Sequence, residues 1–269
     1  MLELAGITGL YIFSWYLYFQ LKLKMPGNRI LAFHDVSDKP DLSITRIAPD
    51  SFERILKFVH ESGTVGTSIS SLNDRDSIAV TFDDGWQGFY STAFPILNKF
   101  DFKATVFIVA GYVGKTSGWD YRKKAHLNWQ EITELAQEGI EIGSHSVNHL
   151  DLRRLDKEKL AYEISGSKKM LEDKLGLPVK YFSYPFGRFN QRVIEAVKDA
   201  GYEKAFALST GGSDYAIPRR AVYLYDTPYS VYLKLFRNSW LEGCKDYINN
   251  SLAGGTIVLK KIFPGKTVY

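Results

Sequence analysis

Cysteine is nearly missing: Cys244 is the only one in 269 residues. That excludes an internal disulfide and a thiolate zinc cluster, and a lone cysteine reads first as a small buried apolar residue. Blocks of like charge are missing too. The 34 Lys and Arg are dispersed and set against 30 Asp and Glu, for a net charge of +4. Nothing in that pattern is a nucleic-acid footprint. Histidine is scarce, with five in the chain and none after His149. No internal repeat or low-complexity tract interrupts residues 29–225, which read as one domain.

Long uncharged apolar runs are absent with one exception. Residues 4–21, "LAGITGLYIFSWYLYFQL", are 18 residues without a charge, at the short end of what spans a bilayer as a helix. Trp15, Tyr16 and Tyr18 suit an interface, and Lys22 and Lys24 could snorkel. The run lacks the basic n-region and cleavage site of a signal peptide. The expectation is a hydrophobic N-terminal segment over 1–28 that attaches the chain to a membrane; a buried N-terminal helix is the alternative. Glu3 before the run and Lys22, Lys24 and Arg29 after it would by the positive-inside rule hold the main domain in the cytoplasm.

What the chain does have is alternation. Short β-branched runs ("RILAFHDV", "SIAVTF", "KATVFIV", "IEIGSH", "KYFSYPFG", "KAFALS") take turns with helical patterns, most of them closed by Gly. Asp50 or Ser51 reads as the cap of the first helix, and residues 157–176 read as one long amphipathic helix. Such alternation implies an α/β fold with a parallel sheet, open or closed into a barrel. Residues 226–269 are less regular and form a C-terminal extension completing or packing on it.

Parallel α/β folds gather functional groups at the carboxyl ends of their strands. Those ends here carry His34-Asp35, Asp83-Asp84, "SHSVNH" with His145 and His149, and "SYPFG". His60 and His126, in or beside helices, look like surface or packing residues. His145 and His149 stand four apart, so one helical turn would put both imidazoles on one face. Two imidazoles and a carboxylate, from Asp83 or Asp84, make a metal site with open positions. Adjacent aspartates can divide the work, one on the metal and one accepting a proton from water.

"TFDDG" (81–85), "HSVNH" (145–149) and "YPFG" (184–187), in this order, resemble the successive motifs of the polysaccharide deacetylases, the NodB-homology or carbohydrate esterase 4 group. The resemblance spans residues 30–225. It implies a distorted (β/α)7 barrel, a single catalytic domain, and metal-dependent removal of N-acetyl groups from a GlcNAc-containing polysaccharide. By motif, Asp83 resembles the general base, and Asp84, His145 and His149 the ligands of a divalent ion, zinc foremost, with Co, Ni, Mn or Fe as others. Phe186, whose N–H would help hold the oxyanion, and Tyr184 fall at the oxyanion and substrate side, and Ser146 would orient the histidine loop. Where the family commonly has an Arg in its third motif this chain has Ser183; Arg188, Arg219 or Arg220 could stand in. The late leucine-histidine motif that supplies the general acid is absent, which makes His34 the candidate acid. "FHDV" resembles the branch acting on exported poly-β-1,6-N-acetylglucosamine, so the expected location is the membrane or cell envelope, with the catalytic domain outside. A weakly catalytic carbohydrate-binding relative and a small-molecule amidohydrolase of the same fold are the alternatives.

Overall fold

Period-two alternation along the strands decides which side chains fill the inside of the sheet and which meet the helices. In the computed structural model, residues 29–39, 43–73, 76–117, 119, 123–208 and 212–237 are described. The 4–21 segment and 238–269 lie outside the described residues. Among those described, no helix is long and apolar enough to cross a membrane.

The main sheet has nine strands: β1 (Ile30–Phe33), β2 (Val65–Thr67), β3 (Ser77–Phe82), β4 (Thr105–Ile108), β5 (Glu141–Ser144), β6 (Tyr181–Ser183), β7 (Lys204–Ala207), β8 (Ile217–Pro218) and β9 (Arg220–Ala221). Their order is β8-β7-β6-β5-β4-β3-β1-β9, with β2 paired to β3, and every pairing is parallel. β8 and β9 stand at opposite ends of that order, yet only Arg219 separates them in the chain. One short stretch, 217–221, therefore lines both edges and joins them into a nearly closed barrel. Taken as one stave, it makes seven with β1, β3, β4, β5, β6 and β7, as the distorted (β/α)7 expectation requires. β1 lies beside the last strand, Leu31 opposite Arg220 and Ala32 opposite Ala221.

The helices cover the outside: α1 (Pro49–Glu61), α2 (Phe94–Lys99), α3 (Trp129–Gln137), α4 (Lys157–Ala161), α5 (Ser167–Leu175), α6 (Gln191–Asp199) and α7 (Pro228–Tyr232). α1 is not capped by Asp50 or Ser51. Ala48 holds the cap position with no side-chain hydrogen bond, and Pro49 opens the helix, where its fixed φ and missing N–H cost nothing. α3 is closed by a capping box: Asn128 accepts the Glu131 N–H, and the Glu131 carboxylate accepts the Asn128 N–H. The long helix expected over 157–176 is continuous but not uniform. A π-helical turn, Tyr162–Gly166, stands between α4 and α5.

Alternation divides the core in two. Leu31 and Phe33, Ile78, Val80 and Phe82, Val106 and Ile108, Phe182, Ala205 and Ala207 face the helices. Phe33 stacks on Phe82 at 5.3 Å, and Phe52 of α1 meets both edge-on. The alternate residues Ile30, Ala79, Phe107, Tyr181 and Phe206 form a second cluster that fills the barrel. Burying a side chain of this size contributes about 1.5–3 kcal/mol, so the plug forms a rigid floor for whatever stands above it.

Candidate active site and metal centre

Counting by twos along each strand places the chemistry. From Ile30 and Ala32 the inner face continues to His34; from Ala79 and Thr81 to Asp83; from Gly143 to His145; from Tyr181 to Ser183; from Ile217 to Arg219. The last paired residues of β1 and β3 are Phe33 and Phe82, so His34 and Asp83 come next on adjacent strands.

Two adjacent aspartates on a regular strand would face opposite ways. The chain avoids this by leaving the strand between them. The Asp83 N–H still donates to the Phe33 carbonyl at 2.9 Å, but Asp84 has φ 71° and Gly85 φ 64°. Left-handed backbone is tolerated by Asp and favoured by Gly, and it returns the second carboxylate to the same site. Ser146 (φ 66°), His149 (φ 55°) and Phe186 (φ 59°) share that conformation. Four of the five non-glycine residues with positive φ among those described thus belong to this one site, and strain of that kind concentrates where function holds it in place.

Asp83 is buried against Arg219. The guanidinium donates to Asp83 Oδ1 at 2.8 Å and Oδ2 at 2.6 Å, to Ser183 Oγ at 2.7 Å and to Thr81 Oγ1 at 3.0 Å. Burial pushes the Asp83 pKa up, but Arg219, with His145 and His34 nearby, outweighs it and holds the carboxyl below its ordinary value. The side chain is an ionised carboxylate at neutral pH.

Asp84, His145 and His149 converge. Their ligand-type atoms all lie within 4.8 Å of one another, with Asp84 Oδ1 at 3.2 Å from His149 Nε2 and 3.5 Å from His145 Nε2. Asp84 Oδ2 accepts the Trp86 Nε1–H at 3.0 Å, which turns Oδ1 to the imidazoles, where it is buried without a hydrogen-bond partner. The Ser183 carbonyl accepts from His145 Nδ1 at 2.7 Å, so that ring offers the lone pair of Nε2 to the centre. An orphaned carboxylate oxygen and two inward imidazole nitrogens fit a divalent cation. The electrostatics agree: despite burial, His149, with His145 beside it, holds Asp84 well below the carboxylate range, while Asp83 and Asp84 raise His145 against its own burial. The carboxylates draw positive charge to this point. Burial lowers His149 against the pull of Asp84. The histidine pair is not on a helical turn, as the four-residue spacing suggested. Its loop is a tight bend with left-handed residues at both Ser146 and His149.

The polysaccharide deacetylase family model matches residues 71–205. The chain belongs to this family. YxkH of Bacillus subtilis, a protein named for the same family, is 30% identical over 193 residues, covering 68% of this chain and 65% of its own length. A poly-β-1,6-N-acetyl-D-glucosamine N-deacetylase of Staphylococcus aureus is 28% identical over 159 residues, 54% of each protein. The matches thus span between about half and two thirds of those relatives. Among solved structures, the Streptococcus pyogenes deacetylase PplD superposes with a TM-score of 0.69 at 23% identity, over 77% of this chain and 96% of that one. A Bacillus cereus polysaccharide deacetylase follows at 0.65 and 25%, over 77% and 68%.

In this member of the family Ser183 is small where the family commonly carries Arg, and Arg219 reaches across the barrel over Ser183 to Asp83. Arg188 is engaged elsewhere, on Asp151 at 3.4 Å. The Tyr184 side chain is not brought to the cluster; it is packed in the core, its hydroxyl donating to the Tyr215 carbonyl at 2.8 Å. Phe186 is brought there, its ring 4.5 Å from His149. The N–H groups of Tyr184, Gly187 and Arg188 are used by the Phe206, Tyr184 and Pro185 carbonyls, and Pro185 has no N–H to give. Ser146 Oγ accepts the His149 N–H at 3.0 Å, the orienting role expected of it. His34 stands close enough to bias both carboxylates.

Three residues were not legible. His126 is not a surface or simple packing residue: its Nδ1–H donates to the Asp84 carbonyl at 3.0 Å, its Nε2 faces Ser117 Oγ at 2.7 Å, and burial brings its pKa down to about 4. Its ring lies 4.3 Å from Trp86. Trp119 stacks on His149 at 4.8 Å. Trp86, directly after "DDG", carried the one available signal: an indole N–H two residues from a carboxylate in a tight turn.

Proposed function

We propose that the chain hydrolyses N-acetyl groups on a GlcNAc-containing polysaccharide, with a divalent metal, zinc foremost, held by Asp84, His145 and His149. The observation that carries this reading is the pairing of two carboxylates with two environments. Asp84 turns an unpartnered oxygen to two imidazoles, and Asp83 beside it is ionised on Arg219. Bound there, the ion would polarise the acetyl carbonyl and make a neighbouring water more acidic. Asp83 accepts the proton as water adds to the carbonyl carbon. The Phe186 N–H donates to the carbonyl oxygen as it gains charge. His34 returns a proton to the nitrogen as the C–N bond breaks, and acetate and the free amine leave. Trp119 and Phe186, both packed against the His149 ring, exclude water from around it.

The Staphylococcus aureus relative and the "FHDV" start favour poly-β-1,6-N-acetylglucosamine as the polymer. Residues 4–21 would then attach the chain to a membrane with the site outside, where an exported polymer is met. The test is acetate release from β-1,6- and β-1,4-linked GlcNAc oligomers after chelation and metal re-addition. Activity restored by metal in wild type but not in Asp83→Asn, and greater on the β-1,6 oligomer, is expected. Stoichiometric metal binding without acetate release from either oligomer would refute it.

A further inference from the structure

One buried carboxylate near the site takes no part in the chemistry above. Glu163, 2% exposed, lies on the π-helical turn between α4 and α5. Its Oε2 accepts the backbone N–H of Val147 at 3.0 Å and of Asn148 at 2.8 Å, and its Oε1 accepts from Asn148 Nδ2 at 2.6 Å. All three donors belong to the loop between His145 and His149. We propose that Glu163 is a positioning residue for the metal ligands: its carboxylate holds this loop in the one shape that presents both imidazoles to Asp84. The inference rests on the metal reading of that site.

The loop needs holding. Ser146 and His149 both have left-handed backbone, uncommon for any residue but glycine and held in place only by its surroundings. The loop is pinned from two sides. Its Ser146 and Val147 carbonyls accept the N–H groups of Ala110 and Gly111 at 3.0 and 2.9 Å, beyond the end of β4. Its N–H groups at Val147 and Asn148 go to Glu163, and that of His149 to Ser146 Oγ. Hydrogen bonds to an ionised acceptor are about twice as strong as neutral ones. A loop shape that withdraws these donors would leave the buried Glu163 carboxylate short of hydrogen bonds, which costs free energy. The π-turn is part of the device. It carries both Glu163 and Ile164 buried, one turn after the buried Leu160, and π-turns of this kind recur at functional sites.

The test uses the full chain and zinc ion, titrated against a chelating dye. Wild type, Glu163→Ala, Glu163→Gln and the ligand control His145→Ala are compared well below their unfolding temperatures, with hydrogen exchange measured across 146–149. Glu163→Ala is expected to weaken zinc binding about 10- to 100-fold, as loss of an outer-shell partner does, and to speed exchange at Val147 and Asn148. Glu163→Gln keeps an oxygen for the two backbone N–H groups, and its amide N–H can donate to a turned Asn148 amide; losing the charge but not the contacts, it should recover most of the affinity and remain roughly fivefold weaker. That variant carries the test if Glu163→Ala does not fold. A merely structural Glu163 would lower the unfolding temperature but leave zinc affinity and loop exchange at wild-type values in the folded variants, which overturns the inference alone. Wild type without zinc affinity would overturn the metal reading and the inference with it.

Discussion

Replacing Arg219 by Met removes the guanidinium and keeps a side chain of similar reach. The wild-type group makes two hydrogen bonds to Asp83 and one each to Ser183 and Thr81, with both members of the ion pair buried. Stranding one member of such a pair costs about 3–5 kcal/mol. Asp83 can escape that cost by taking a proton. Since one pKa unit is about 1.36 kcal/mol, its pKa should rise by roughly two to four units. In wild type the folded-state pKa is depressed, so the pair's stabilisation is complete above the ordinary carboxylate range and is lost as pH falls through the depressed value. Two readouts follow. The acid limb of kcat/KM for acetate release moves toward neutrality by that amount, and the stability gap to wild type in urea, largest at pH 7, closes on acidification. An unchanged acid limb, or a gap independent of pH, would refute the assignment of Arg219 as the group that keeps the base ionised.

Trp86→Phe removes the donor that orients Asp84 Oδ2 and should weaken metal affinity about 10- to 100-fold, read by dialysis against a metal buffer. His34→Ala should lower kcat by about 10²- to 10⁴-fold, the usual worth of a positioned acid, with metal affinity unchanged; a variant that keeps its kcat would remove His34 from the mechanism. Gly111→Ala sets a Cβ 2.6 Å from the Val147 carbonyl oxygen and should destabilise by about 1–3 kcal/mol as the histidine loop is forced away, measured by urea denaturation.

Much of the site could be read from residue order because strands obey a period of two. Once the strand at 77–82 is recognised, Asp83 follows Ala79 and Thr81 on the inner face, and His34 follows Ile30 and Ala32. What resisted reading was everything that breaks the period. The left-handed backbone at Asp84 and Ser146 has no signature beyond the following Gly85 in one case, and the spacing of His145 and His149 fits a helical turn as well as the bend actually used. Arg219 was one of three arginines that could replace the family residue at Ser183. Nothing local distinguishes it, because the choice is made by barrel closure, a contact between the two ends of the domain. Glu163 did leave a trace, as a carboxylate three residues after Leu160 on an otherwise apolar helical stripe.

The seam at Arg219 also bears on how the molecule folds. β1 near the start of the described chain meets β9 near its end, Leu31 with Arg220, and the residue between β8 and β9 is the one that pairs with Asp83. Contacts so distant in sequence carry the largest loop-closure cost and slow the folding of parallel architectures. A partly assembled barrel would hold Asp84, His145 and His149 at the ends of β3 and β5, on either side of β4, while still lacking the Arg219 partner of Asp83. Metal binding could then precede completion of the barrel during refolding, but hydrolysis could not. Recovery of activity would therefore mark the final closure of the chain on itself.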